Sequence, residues 1–374
     1  MKTAAFVLSA LLVAPPAHAQ LGSLINKAQK VKDKADDLTI DDKEERQLGD
    51  RVSAQLIDRY GVYQDKDVTK YVSLLGTVIA KESSRPDLNW TFIVLDTDGV
   101  NAFAAPGGII HVTRGLLGLA KNEAELAGVL GHEITHVTAK HTVRAIQQGK
   151  MVSMGTEAAG GGTVRDELIA KMSSKAYHLL LDGEFSRDDE NEADEKGVRL
   201  ANKLAYDPHG LVEVLKKIDA RNTGRDDRNG LFASHPATKD RIAKLEKQIA
   251  AEKLTGKATV DARYAKNIHV EAKPVAELAL NVEGGAGLAG GESKPADKKK
   301  DQDAKKQDEP KKKGGLFGKV NLTGGSQSQN TQTVASAGAR GGVPDRDAKG
   351  GSIKTRVVVT VTAAEVAAFR KGIA

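Results

Sequence analysis

The sequence predicts an α+β, mainly α-helical fold with a small β-sheet, followed by a disordered tail. Two short β-rich runs, Trp90–Leu95 and Ile109–Thr113, precede a succession of helical periodicities that continues to about residue 252. Apolar residues make up 40% of the 374-residue chain, enough for a core, but aromatics reach only 4% and there are 38 glycines. That combination predicts a folded body diluted by a segment that cannot offset its own ordering entropy.

Taken in order, the chain opens on an export signal. Lys2 supplies a short positive region, and Ala4–Val13 is an apolar run too short to span a bilayer. Ala17-His18-Ala19 has the small-x-small pattern of a cleavage site, so residues 1–19 are expected to be a signal peptide and Gln20 the mature N-terminus. Residues 20–40 are polar, with the character of a loosely attached helix. The body is expected to span residues 41–252. Pro106-Gly107-Gly108 marks a turn ahead of the second strand. Asn122 is placed as an N-cap, with Glu125 three residues on, for a helix expected to run to about Gln148. After the break at Gly160-Gly161-Gly162, helical patterns resume at 164–181, 186–204, 208–219 and 237–252.

Residues 284–355 are rich in Gly, Lys, Asp, Ser and Gln and read as a disordered linker. Arg356–Val361 then reads as a strand, and Thr362 with Glu365 as the capped start of a helix, within a closing segment 356–374. The net charge of +6 is concentrated between Lys294 and Lys319, where ten Lys face five acidic residues. The rest is near neutral, so the charge does not point to nucleic acid; the Lys-rich tail is expected at most to make peripheral contact with an anionic envelope surface. The chain contains no Cys, which excludes disulfides and leaves a metal only His and carboxylate ligands.

The chemistry is concentrated in His132-Glu133-Ile134-Thr135-His136. Two histidines four residues apart on a helix share a face and can bind one Zn²⁺. Glu133 stands next to the first ligand, close enough to take a proton from an activated water without binding the metal itself. A catalytic zinc normally keeps three protein ligands. His141, projected along a continuous helix, points well away from the ligand face and reads as a packing or capping residue. The better third ligand lies in Ser186–Asp194. Glu190 and Asp194 share a helical face, so Glu190 can ligate while Asp194 holds a ligand histidine by its ring N–H. Glu192 is the rival ligand, about 200° round the helix from Glu190.

Together these residues resemble the zinc peptidases related to the CAAX prenyl protease and HtpX, with soluble periplasmic BepA-like members nearest. The resemblance rests on Gly131–His136, on Glu190-x-x-Ala-Asp194, on Asn101–Gly108, on Thr113–Leu117, and on Ser234-His235-Pro236 with Arg241-Ile242. It implies a zincin-like metallopeptidase domain with His132, His136 and Glu190 as ligands of one zinc and Glu133 as general base and acid. It further implies Asp194 as partner of a ligand histidine and His235 near the metal, stabilising an oxyanion or capping the open position. Arg241 would orient Glu190 or Asp194. Substrates are expected to be polypeptides, above all unfolded or misassembled outer-membrane or envelope proteins, in the periplasm. An extended substrate is expected to add to a sheet edge, with Asn101, Ile109 and His111 as candidate substrate-binding residues. A catalytically silent scaffold and a surface-tethering module are the competing readings.

Overall fold

Asp42–Tyr60 forms α1, whose apolar residues Leu48, Val52, Leu56 and Tyr60 recur every fourth position and are buried. Lys66–Ala80 forms α2, capped by Asp65, whose Oδ1 accepts from the backbone N–H groups of Asp67 and Val68. The computed structural model describes residues 40–153, 164–182, 185–222, 235, 238–272, 329–335, 339–340, 343–344 and 356–373. These elements fall in one unit, Asp42–Ala374. The expected signal peptide and the glycine break at 160–162 lie outside the described residues.

The sheet has three strands, β1 (Thr91–Leu95), β2 (Ala102–Ala105) and β3 (Ile109–Thr113), in the order β1-β3-β2. β1 runs parallel to β3, and β2 antiparallel to it. Gly107 and Gly108, at φ 73° and 90°, make the β2–β3 turn, a backbone conformation that a side chain would strain. Alternation along β3 sends Ile109 and His111 toward α1. The opposite face carries Phe92, paired with Ile110, against Gly76 of α2, where an added Cβ would fall 2.2 Å from the Phe92 ring.

This strand order corrects the expected substrate edge. Ile109 and His111 lie on the middle strand, flanked on both sides, and are 2% and 0% exposed. Asn101 is buried too. Its Oδ1 accepts from Ala102 N–H and its backbone N–H donates to Thr113 Oγ1, so it closes the sheet end. A single strand pattern cannot reveal which strand a later turn will place outermost.

His111 has instead a structural role with a measurable consequence. Its Nε2 lies 2.8 Å from Ser53 Oγ, and burial pushes its pKa from 6.5 down to about 3. The folded chain therefore resists a proton that the unfolded chain accepts below pH 6.5. Stability attributable to this residue is present at neutral pH and falls as pH drops from 6.5 toward 3, at roughly 1.4 kcal/mol per pH unit. His111→Gln is expected to flatten that decline in urea midpoints measured between pH 7 and pH 5. An identical slope in both proteins would contradict this assignment.

The helical part follows: α3 (Arg114–Leu119), α4 (Glu123–Thr138), α5 (His141–Ser153), α6 (Val164–Asp182), α7 (Arg187–Lys203), α8 (Gly210–Asn222), α9 (Thr238–Glu252) and α10 (Asp261–Asn267). α4 lies at the centre, packed against the sheet, α2, α7 and α8. The single helix expected over 122–148 is two, because the chain turns at Ala139–Lys140, with Lys140 at φ 55°. The first turn of α4 is anchored by Glu123, fully buried, which accepts from Tyr71 Oη (2.8 Å), Tyr206 Oη (2.5 Å) and Arg263 Nε (2.7 Å). Among the described residues no helix is long and apolar enough to cross a membrane.

Downstream, β4 (Gln329–Ala335) pairs antiparallel with β7 (Arg356–Thr362), and β5 (Ala339–Arg340) pairs with β6 (Val343–Pro344). β4 falls inside the stretch whose composition predicts no fixed structure. Its backbone ladder is supplied by β7, whose Val357, Val359 and Val361 are buried and so bring the strand against α2. β7 continues into α11 (Ala363–Lys371), which opens with the expected Thr362–Glu365 capping box. Lys70–Glu365 (2.5 Å) and Glu82–Arg370 (2.6 Å) tie α11 to the body.

Candidate metal centre

Two helices build the site. α4 carries His132, Glu133 and His136, all at most 3% exposed, and α7 carries Glu190 and Asp194 one turn apart on its buried face. Ser186 caps α7, accepting from Asp189 N–H at 3.1 Å. The two helices cross where Gly131 meets Gly197. A Cβ on Gly197 would stand 2.6 Å from the backbone N of His132. That missing side chain lets α7 approach closely enough for its carboxylates to reach the histidines. Gly197 continues the 190–194 face by three residues, a spacing visible in the sequence but not read there as functional.

One ligand atom from each of His132, His136, Glu190 and His235 lies within 4.8 Å of all the others. His132 Nε2 is 3.0 Å from His136 Nε2 and 3.3 Å from His235 Nδ1. Glu190 Oε1 is 3.4 Å from His136 Nε2 and 2.7 Å from His235 Nδ1. A tetrahedral zinc with bonds of ~2.0–2.1 Å sets its ligands about 3.3–3.4 Å apart. His132, His136 and Glu190, with separations of 3.0, 3.4 and 3.7 Å, bracket that spacing, whereas His235 sits in direct contact with Glu190; the donors are nitrogen and oxygen only, as a cysteine-free chain requires. Glu133 adds a second sign of fit: both its carboxylate oxygens are buried without a hydrogen-bond partner, with Oε1 3.8 Å from His235 Nε2.

Behind the donors stands Arg241 on α9, 3% exposed. Its Nε and Nη2 bind Asp194 at 2.7 and 2.6 Å, and its Nη1 lies 2.8 Å from Glu190 Oε2. Burial opposes charge on both carboxylates, but Arg241, and for Glu190 also His235, outweigh it. Asp194 is held at about 2 and Glu190 well below the usual carboxylate range. Asp194 Oδ1 in turn lies 2.9 Å from His132 Nδ1, although at an oblique angle. Burial pushes Glu133 up and His136 well below the usual imidazole value, so His136 offers a lone pair at neutral pH.

The structure thus brings together His132, Glu133, His136, Glu190 and His235, with Asp194 and Arg241 directly behind. Glu192 does not join them. It lies 31% exposed, bound by Lys196 at 2.6 Å and by His141 at 3.1 Å. His141 was expected to point away, but the turn at Lys140 brings its Nδ1 to 2.9 Å from His136 Nδ1. Phe185, which no sequence motif marks, packs tilted on the His136 ring at 4.4 Å between centroids and stacks on His235 at 5.6 Å.

A central helix presenting two imidazoles and a free carboxylate, completed by a carboxylate from a second helix, defines a metallopeptidase domain. Residues 67–249 match the family described as Peptidase family M48. The match bears out the metallopeptidase resemblance read from the motifs, under this description rather than the CAAX prenyl protease and HtpX label. The chain is 28% identical over 212 residues to the beta-barrel assembly-enhancing protease of Escherichia coli K12, covering 54% of this chain and 42% of that protein. It is 32% identical over 178 residues to the mitochondrial metalloendopeptidase OMA1 of Schizosaccharomyces pombe, covering 48% and 52%. Metalloprotease LoiP of Escherichia coli is 29% identical over 158 residues, covering 41% and 60%. The chain spans about half the length of these relatives.

Proposed function

We propose that the chain is an exported zinc endopeptidase that cleaves unfolded or misassembled envelope proteins in the periplasm. The observation that carries this reading is the meeting of His132, His136 and Glu190 beside the unpartnered carboxylate of Glu133. The signal-peptide pattern at residues 1–19 supports export, and the similarity to a beta-barrel assembly-enhancing protease supports work on barrel-forming envelope proteins.

In this reading one zinc per chain is held by His132, His136 and Glu190. When bound it supplies a water of lowered pKa and polarises the scissile carbonyl. Glu133 takes the proton of the attacking water and returns it to the leaving amine nitrogen. Asp194 holds the His132 ring through Nδ1, and Arg241 holds both Asp194 and Glu190. His235, whose Nδ1 lies 2.7 Å from Glu190 Oε1 and 3.3 Å from His132 Nε2, would cap the open side of the centre at rest and, turned away from it, would stabilise the oxyanion.

The substrate edge moves to β2, the outer strand beside β3. Thr113 N–H donates to Asn101, so alternation turns the C=O of Ala102 and the N–H and C=O of Ala104 away from β3. An extended peptide can add there. Ala104 is 3% exposed and α6 packs against β2, so this edge, like the His235 position, belongs to a closed resting form. An unfolded outer-membrane protein is expected to be cleaved and its folded barrel left intact under the same conditions, read by gel and by mass of the fragments. Equal cleavage of both would remove the quality-control reading.

A further inference from the structure

We propose that His141 is a positioning residue for the metal centre, fixing the tautomer and ring orientation of His136 through a hydrogen-bonded chain that ends on Glu192 and Asp189. This rests on the proposal that His136 is a metal ligand.

The chain of contacts allows one consistent set of protons. His136 Nε2 faces the donor set, 3.0 Å from His132 Nε2 and 3.4 Å from Glu190 Oε1, so a ligand lone pair there places the ring proton on Nδ1. That N–H points to His141 Nδ1 at 2.9 Å, which must then be the acceptor. His141 is left with its proton on Nε2, and Nε2 lies 3.1 Å from Glu192 Oε2 and 3.5 Å from Asp189 Oδ1. Every proton along this chain has an acceptor, and the two Nδ1 atoms do not meet lone pair to lone pair. The opposite assignment would aim an N–H of His136 at the metal.

The two histidines of α4 are therefore held in different ways. His132 has a carboxylate directly on its Nδ1, whereas the carboxylates behind His136 act through an intervening imidazole. The break between α4 and α5 makes this possible. With Lys140 at φ 55°, the chain doubles back and places His141, fully buried, under His136. The same cluster does not offer a second metal site. Arg144 already lies 2.8 Å from Asp189 and 3.4 Å from Glu192, and Lys196 lies 2.6 Å from Glu192.

The test is zinc affinity by competition with a chromophoric chelator, together with the ¹⁵N shifts of His136 that report its tautomer. His141→Ala is expected to weaken zinc binding about 10–100-fold and to mix the His136 tautomers. His141→Asn keeps an acceptor near the Nδ1 position and is expected to recover most of both. Asp189→Ala/Glu192→Ala, at two partly exposed positions, leaves the buried core intact and is expected to weaken zinc about tenfold. It serves if His141→Ala does not fold. Affinity within twofold of wild type in His141→Ala or in the double variant, or equal losses in the Ala and Asn variants, overturns the proposal. Failure of the wild-type protein to bind zinc overturns the metal reading beneath it instead.

Discussion

Glu133→Gln is expected to slow peptide hydrolysis by about 10²–10⁴-fold, the usual contribution of a positioned general acid–base group. Zinc content should not change, because Glu133 stands outside the donor set. The amide keeps the volume of the side chain, which is 1% exposed, but cannot accept a proton from water. Stability should hold or rise, since both oxygens of Glu133 are buried without partners and an unpaired carboxylate is costly to bury. Initial rates on an unfolded protein substrate, metal analysis and thermal unfolding check all three. A variant with full activity would show that the carboxylate does no chemistry.

Glu190→Ala is expected to lose zinc during dialysis that leaves the wild type loaded. It removes the only carboxylate among the four convergent donors and leaves a tetrahedral ion short of a ligand. The substitution also acts on the fold. Arg241, buried, keeps Asp194 and the carbonyl of His235 but loses the contact at 2.8 Å with Glu190. A buried donor left unsatisfied costs roughly 1–3 kcal/mol, so the urea midpoint of the metal-free variant should fall as well. Glu192→Ala is the control. Glu192 faces Lys196 and His141, so its loss should leave the Arg241 contacts intact and weaken zinc only as part of the His141 chain. Equal zinc retention by Glu190→Ala and wild type would move the third ligand elsewhere.

The site was more legible in the sequence than the sheet was. Spacing of four residues fixes His132 with His136, and Glu190 with Asp194, on shared helical faces whatever surrounds them. The convergence of α4 on α7 depends instead on Gly131 and Gly197, and close approach between glycines has no local signature. The place of His141 escapes the sequence for a definite reason: projecting positions at ~100° per residue assumes a continuous helix, and the helix ends at Thr138. β3 reads as a strand from its own residues. Its place between β1 and β2 is set by the turn at Gly107-Gly108 and by a parallel crossover, neither of which a strand pattern reports. β4 is invisible to composition because its ladder comes from a strand more than twenty residues further on.

The central claim is that side chains from α4 and α7 hold one tetrahedral divalent ion. Metal analysis of the purified, dialysed protein, joined to X-ray absorption at the zinc edge, tests it most directly. About one zinc per chain is expected, in a four-coordinate shell of nitrogen and oxygen with imidazole scattering. A protein that retains no zinc, or holds it in a six-coordinate shell of water, would contradict the claim.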